Sequence, residues 1–236
     1  NGAQQALDLI ARVLLETGDK ILIEDPCYQE ALGVFRAVGA AVVPVAVDAE
    51  GFNLAEAERK TGAAKLVYIT PSHQYPTGAT MSLARRLNLL EWARKTGAWI
   101  IEDDYNSEFR YAGRPLASLQ NLDRFGRVIY VGTFSKTIFP ALRLGCLVVP
   151  RGLIEIFRAA RWSGDCHSPI FEQAILADFI AEGHFARHLR RMRTLYEKRQ
   201  NALVAAAEKE LGGLLKVSRA PSGMHLIGWR AKGPDA

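Results

Sequence analysis

The composition is that of an ordinary globular chain. Its 236 residues are 49% hydrophobic and 23% charged, with a formal net charge of +5. This length can bury a sizeable core, and we find no low-complexity stretch, internal repeat or apolar run of membrane-spanning length. Three scattered cysteines, Cys27, Cys146 and Cys166, are too few for a disulfide framework or a metal site. We therefore expect a cytoplasmic protein with no metal and no membrane contact.

Much of the basic excess lies within residues 187–199. The charges alternate with Leu189, Met192 and Leu195 at helical spacing, which favours a solvated helix face. A nucleic-acid patch is the alternative, and the absence of interleaved stacking aromatics or a binding motif argues against it.

Helices and short apolar strands alternate along the first 150 residues. Strands are predicted over 20–24, 41–47, 66–69, 98–102, 128–131 and 145–149. Helices are predicted over 5–16, 53–60 and 82–96, with another ending at Phe35. Short strands alternating with helices predict an α/β fold, a three-layer α/β/α arrangement around a mostly parallel sheet.

The pattern becomes helical from about residue 151. Helices are predicted over 153–162, 169–181 and 185–211, and short strands over 214–218 and 224–229. This change predicts a first domain over 1–183, then a long linking helix and the start of a smaller α+β domain over 184–236. The chain opens without methionine and stops soon after its last strand. We therefore expect it to be an internal piece of a longer polypeptide.

Polar residues follow the predicted strands at the edge where ligands bind in an open parallel sheet. They are Tyr28, Asp103, Tyr105 and Lys136, the last preceded by two hydroxyl residues and followed by Arg143. Taken alone, this motif favours an ordinary surface lysine in a strand-to-helix loop as the interpretation of Lys136. A lysine that forms an imine, together with a carboxylate and groups that bind a phosphate, is what pyridoxal phosphate (PLP) requires.

Five motifs carry a family resemblance. They occupy residues 1–7, 24–28, 71–78, 101–111 and 132–145, in the family's order and roughly its spacing. On these residues the chain resembles fold-type I PLP enzymes of the class I/II aminotransferase group. Within that group it is most similar to the aminotransferase-like domain of MocR-type bacterial transcriptional regulators, which carry a GntR-type winged helix-turn-helix.

The resemblance implies a role for each matching residue. Lys136 would hold PLP as an aldimine and, once displaced, move a proton on the substrate. Asp103 would pair with the pyridinium nitrogen, because the family places this residue two before the tyrosine and strand alternation turns Asp104 to the opposite face. Tyr105 would bond the phenolic oxygen and Tyr28 would stack on the ring. The implied phosphate ligands are Thr133, Ser135, Arg143 and the backbone amides of Ala3 and Gln4.

One departure concerns Tyr75, which stands where many aminotransferases have asparagine. Either His73 or Gln74 compensates, or Tyr105 acts alone. MocR-type sequences commonly have an aromatic residue there. We interpret His225, in a strand that the family shares, as structural.

Three functions remain open. The leading one is an effector sensor of a MocR/GntR-type regulator, which binds an amino compound or a 2-oxoacid and reaches DNA only through an absent N-terminal domain. The alternative is a free-standing aminotransferase, and a cofactor-free scaffold is disfavoured because the four central site residues are all present. The resemblance also implies a homodimer, and it places the arginine for the substrate carboxylate beyond residue 236.

Overall fold

The structure, a computed structural model, describes residues 2–113 and 116–230. Asn1, part of the first motif, and residues 231–236, the end of the predicted second domain, lie outside the described residues. The helices are α1 (Gly2–Leu14), α2 (Gln29–Ala37), α3 (Leu54–Lys60), α4 (Leu83–Thr96), α5 (Leu119–Leu122), α6 (Ile154–Asp165), α7 (Ile170–Ala181) and α8 (His184–Leu211). The strands are β1 (Lys20–Asp25), β2 (Ala41–Asp48), β3 (Gly51–Phe52), β4 (Leu66–Ile69), β5 (Trp99–Asp104), β6 (Val128–Thr133), β7 (Gly145–Val148), β8 (Leu215–Val217) and β9 (Gly228–Arg230).

A seven-stranded sheet in the order β3-β2-β1-β4-β5-β6-β7 organises the fold. Its five inner strands pair in parallel, which confirms the predicted α/β fold. Both edges are antiparallel, since β3 returns along β2 and β7 returns along β6. The prediction had no β3, because a two-residue strand has too little periodicity to stand out.

Two cores flank the sheet because strand residues alternate between its faces. Ile21 and Ile23 pack with helices α1 and α2, whereas Leu22 between them packs with α3 and α4. The same alternation continues through β4 and β5. Both faces of the sheet are therefore covered, as a parallel sheet requires.

Beyond the sheet, α8 runs for 28 residues and leads to β8 and β9, which pair with each other in a separate two-stranded sheet. The segment between β8 and β9 packs against the loop that follows β5. There the Pro221 carbonyl accepts hydrogen bonds from Tyr111 N (2.9 Å) and Ala112 N (3.2 Å). Among the described helices, none combines the length and apolar character needed to cross a bilayer.

Candidate functional site

A cavity of about 470 Å³ lies at the carboxyl ends of β1, β4, β5 and β6. Every residue that the sequence predicted for cofactor binding lines it: Ala3, Gln4, Tyr28, Asp103, Tyr105, Thr133, Ser135, Lys136 and Arg143. The structure thus brings together residues from separate segments of the chain. Tyr68, Thr70, Asn106, Pro140, Met224 and His225 also contribute to the lining, as does Tyr75.

Asp103 is the buried carboxylate of this cavity. Tyr68 Oη donates a 2.7 Å hydrogen bond to its Oδ2, whereas its Oδ1 is buried and finds no partner in the part of the chain that is described. Burial raises the pKa of Asp103 to about 6, against the opposing effect of the Tyr68 hydroxyl. A buried carboxylate oxygen without a partner is costly, and it suits a cationic N–H donor bound in the cavity.

The neighbouring carboxylate, Asp104, lies outside the cavity. Its Oδ2 accepts hydrogen bonds from Ser107 Oγ (2.6 Å) and Tyr130 Oη (3.1 Å). Strand β5 extends two residues further than predicted and carries both aspartates, so its pleat separates them onto opposite faces. Only Asp103 of this pair is positioned to meet a ligand.

The start of α1 and the loop after β6 form a corner of the cavity that is chemically suited to an anion, which we call the anion-binding corner. The amides of Ala3 and Gln4 belong to the first turn of α1, where helix N–H groups have no partner within the helix. Thr133 Oγ1 accepts from the Ser135 amide at 3.1 Å, which orders the loop before Lys136. Arg143 caps a 3-10 turn in the left-handed conformation, at φ 52°, and also lines the cavity.

Gly145 allows α1 to approach the sheet closely. A Cβ atom at this position would lie 2.8 Å from the Gly132 carbonyl oxygen and 3.2 Å from the Ala3 amide nitrogen. Both contacts are with backbone, which cannot move aside as a flexible side chain can. The absent side chain therefore brings the amides of α1 beside β6 and β7.

Aromatic rings form the walls of the cavity. Tyr75 meets the rings of both Tyr28 and Tyr105 edge to face, with centroids 6.1 Å apart in each case. The Tyr105 hydroxyl is buried beside Asn106, and burial raises its pKa against the opposing effect of the Asn106 side chain. Lys136 lines the cavity from the loop after β6, and its side chain is exposed.

The departure at Tyr75 is resolved by the neighbouring side chains. Gln74 is buried away from the cavity, where its Nε2 donates to the Pro26 carbonyl at 2.8 Å and to Glu24 at 3.3 Å. His73 lies outside the lining as well. Of the alternatives for bonding the phenolic oxygen, Tyr105 acting alone therefore fits the geometry.

The sequence prediction missed two polar groups of the site. Tyr68 lies in β4, a strand whose residues are all buried. Its hydroxyl is the only polar side-chain group of that strand, and this is the one signal in the sequence that could have indicated its role. His225 was interpreted as structural, whereas its ring lies in the cavity wall beside Tyr105. Nothing in the local sequence around His225 indicates this position, because it depends on how the segment after β8 packs against the loop that follows β5.

Three wider features define the class of the chain: the sheet order, a cavity at the strand ends, and a lysine that shares this cavity with a buried carboxylate and an anion-binding corner. These are the features of a protein built to hold a phosphorylated aldehyde cofactor. A family comparison agrees, since residues 1–232 match the model for aminotransferase class I and II. The chain belongs to the class I and II aminotransferase family.

Regulators are among its relatives. The probable rhizopine catabolism regulatory protein MocR of Rhizobium meliloti is 44% identical over 227 residues, which are 96% of this chain and 46% of the relative. An uncharacterized HTH-type transcriptional regulator of Bacillus subtilis, YhdI, is 42% identical over 90% of this chain and 45% of its own length. The chain thus spans about half the length of the regulators that it matches.

Enzymes are relatives too. The crystal structure of LysN, an α-aminoadipate aminotransferase from Thermus thermophilus, superimposes with a TM-score of 0.86 at 33% identity, over 94% of this chain and 58% of that one. That enzyme is complexed with N-(5'-phosphopyridoxyl)-L-leucine. The family and this complex confirm the predicted PLP cofactor. The open Asp103 oxygen and the anion-binding corner fit that group. Within the described ranges, we find no cluster of three residues suited to hold a metal ion.

Proposed function

We propose that this chain is the PLP-binding, aminotransferase-like domain of a MocR/GntR-type transcriptional regulator and serves as its effector sensor. The single observation that carries the proposal is the Oδ1 atom of Asp103, which is buried without a partner among the described residues, in a cavity that also holds Lys136 and an anion-binding corner. The similarity to regulators over more than nine tenths of the chain supports the sensor role.

Each cavity residue has a task in this proposal. PLP, when bound, supplies an electron sink for chemistry at the carbon that bears the amino group. Asp103 keeps the pyridine nitrogen protonated, and Arg143 binds the phosphate together with the Thr133 and Ser135 hydroxyls and the amides of Ala3 and Gln4. Tyr105 donates to the phenolic oxygen and Tyr28 covers the ring. Lys136 would attach the cofactor, and its amine would move a proton to or from a bound amino compound.

The proposal also covers the domain organisation, the residues outside this chain and the location of the protein. We propose that residues 1–183 form the large domain, and that residues 184–236 form a linking helix and part of a smaller domain. DNA would be contacted through residues N-terminal to this chain, and the arginine that binds a ligand carboxylate would follow residue 236. Three cysteines that form no disulfide bond among the described residues favour a cytoplasmic location.

We also propose a homodimer, which rests on the apolar surface of α6 and α7. Trp162, Ile170 and Phe171 are 67%, 69% and 74% exposed, which is unusual for large apolar side chains on neighbouring helices. A second copy would cover them. If so, Phe171→Lys lowers the mass measured by light scattering from dimer to monomer, while Leu203→Lys, at an exposed apolar residue of α8, leaves it unchanged.

A turnover experiment separates the sensor from the alternative, a free-standing aminotransferase. The full-length protein is loaded with PLP and mixed with a panel of L-amino acids, with or without 2-oxoacids. We expect saturable changes in the visible absorption band without multiple turnover. Rapid multiple turnover with any donor and acceptor pair would favour the enzyme, and failure of PLP to bind would refute both.

A further inference from the structure

Tyr68 lines the cavity from β4, yet none of the proposed cofactor contacts uses it. Its side chain is fully buried, and its ring packs against Phe35 of α2 at a centroid distance of 5.7 Å. The parallel register of β4 and β5 pairs Tyr68 with Ile101, which lies two residues before Asp103 on the same face of the sheet. The long tyrosine side chain spans that offset, and its hydroxyl therefore meets the Asp103 carboxylate.

The Tyr68 hydroxyl is a donor that keeps its hydrogen. Burial raises the pKa of Tyr68 well above its ordinary value, and the charge of Asp103 and the hydrogen bond to it raise this pKa further. At neutral pH the hydroxyl is therefore protonated, and it donates to Asp103 Oδ2 at 2.7 Å. A donor of this kind stabilises the ionised carboxylate relative to the neutral acid.

Asp103 needs this support because its surroundings oppose a negative charge. Burial raises its pKa to about 6, and the like charge of Asp104 acts in the same direction. Glu24, on β1, lies near enough for the two carboxylates to repel each other. Among the described residues, Tyr68 supplies the side-chain hydrogen bond that opposes these effects. Without it, the Asp103 carboxyl would take up a proton at a higher pH.

The protonation state of Asp103 matters because a neutral carboxyl cannot balance the charge of a pyridinium nitrogen. The bond from Tyr68 engages Oδ2 and leaves Oδ1 buried without a partner among the described residues. A cationic N–H group that binds there competes with a proton for the same carboxylate. The affinity for such a group therefore falls at any pH where the unoccupied Asp103 carboxyl is protonated.

We propose that Tyr68 is a positioning residue for the cofactor: its hydroxyl keeps Asp103 ionised and holds Oδ2, so that Oδ1 pairs with the pyridinium nitrogen at neutral pH. The inference rests on the proposed function, because this pairing takes place only when PLP is bound. It assigns to β4 the control of the pH range over which the cofactor binds. Tyr68 acts through Asp103 and does not itself touch the reacting atoms.

Other titratable groups near Asp103 are left in place when the Tyr68 hydroxyl is removed. The Cys27 thiol influences Tyr68, and burial raises its pKa to about 11, so it stays neutral. Across the cavity lie two phenols, two cations and an imidazole: Tyr28, Tyr105, Lys136, Arg143 and His225. Their ionisation, like that of PLP itself, is common to wild type and variant and therefore cancels when the two are compared at one pH.

Removal of the hydroxyl alone tests the assignment. Tyr68→Phe keeps the buried ring and its contact with Phe35. Dissociation constants for PLP are measured from the visible band with the full-length wild-type and variant proteins. We expect the ratio of the variant's constant to that of wild type to be about tenfold higher at about pH 5 than at about pH 8.5, because loss of one hydrogen bond to a charged group moves the titration of Asp103 upward by about one pH unit.

Two matched changes locate the effect. Tyr130→Phe removes the hydroxyl that donates to Asp104 at 3.1 Å on the opposite face of β5, where Ser107 still donates, and its ratio should be the same at every pH. Tyr68→3-fluorotyrosine, introduced at this position alone, keeps the hydroxyl and makes it a stronger donor. PLP should then bind to a lower pH than in wild type, and this protein tests the inference even if Tyr68→Phe fails to fold.

Three results would overturn the inference: a Tyr68→Phe ratio that does not change with pH, an equal pH-dependent rise in Tyr130→Phe, or a 3-fluorotyrosine protein that loses PLP at the same or a higher pH than wild type. The first of these would mean that Tyr68 contributes packing only. Failure of the wild-type protein to develop the visible band with PLP would instead refute the proposed function.

Discussion

Buried carboxylates on the two faces of β5 differ in how completely their oxygens are hydrogen-bonded. On one face, Glu102 accepts hydrogen bonds from the amides of Leu119 and Gln120, both at 2.8 Å, and lies 3.7 Å from the Arg86 guanidinium. On the other face, Asp103 has one bonded oxygen and one with no partner among the described residues. Buried polar groups in folded proteins are nearly always satisfied. The contrast distinguishes Glu102, whose bonds stabilise the fold, from Asp103, which has an oxygen available to a ligand.

The largest expected effect comes from replacing Asp103 and Asp104 with asparagine, each in a separate variant. Asp103→Asn removes the charge that would pair with the pyridinium nitrogen, and we expect PLP affinity to fall about 100-fold, as for a buried charge-assisted hydrogen bond. Asp104→Asn makes the same chemical change on the opposite face of β5 and should alter the affinity by less than about threefold. Titration of the visible band measures both, and equal losses would contradict the assignment of faces.

The second largest expected effect comes from filling the space at Gly145, where α1 lies close to β6 and β7. Gly145→Ala places a methyl group 2.8 Å from the Gly132 carbonyl oxygen, so α1 must move. We expect a loss of about 1–3 kcal/mol in the free energy of unfolding, with weaker PLP binding. Gly33→Ala in α2 is the matched control, since its methyl group meets no atom within 4 Å, and it should stabilise the protein by about 0.5–1 kcal/mol. Urea unfolding measures both, and a Gly145→Ala variant as stable as wild type would refute the packing argument.

The smallest effect is a pH dependence from Glu24 at the base of the site. Burial raises its pKa to about 7, although the Thr70 amide and hydroxyl donate to it at 3.0 and 2.7 Å. Because the folded state holds this proton more tightly than the unfolded chain, stability is lost as the pH rises through 7. Between about pH 6.5 and 8 we expect a loss of about 1 kcal/mol from this group in the cofactor-free protein.

Glu24→Gln removes that titration and should flatten the decline. Comparison over the same pH interval avoids His73, whose pKa burial lowers to about 4 and which acts with the opposite sign below about pH 6.5. Unfolding free energies of the two proteins that fall equally between pH 6.5 and 8 would contradict the raised pKa.

The inner strands and the different positions of Asp103 and Asp104 could be predicted from the sequence, because local patterns determine both. The apolar runs specified the inner strands, and the alternation of strand side chains was enough to separate Asp103 from Asp104. The antiparallel return of β7 was not predictable, since a short apolar run carries no mark of its direction. Tyr68 and His225 were missed for a related reason, as their roles depend on contacts with residues 35 and 120 positions away.

The central claim is that Lys136 carries the cofactor in this cavity. The direct measurement is to load the protein with PLP, reduce it with borohydride so that any lysine adduct becomes permanent, and locate the modified residue by peptide mass spectrometry. The account predicts one pyridoxyl group per chain, on Lys136, and no adduct in Lys136→Ala. A modification on another lysine, or none after loading at saturating PLP, would contradict it.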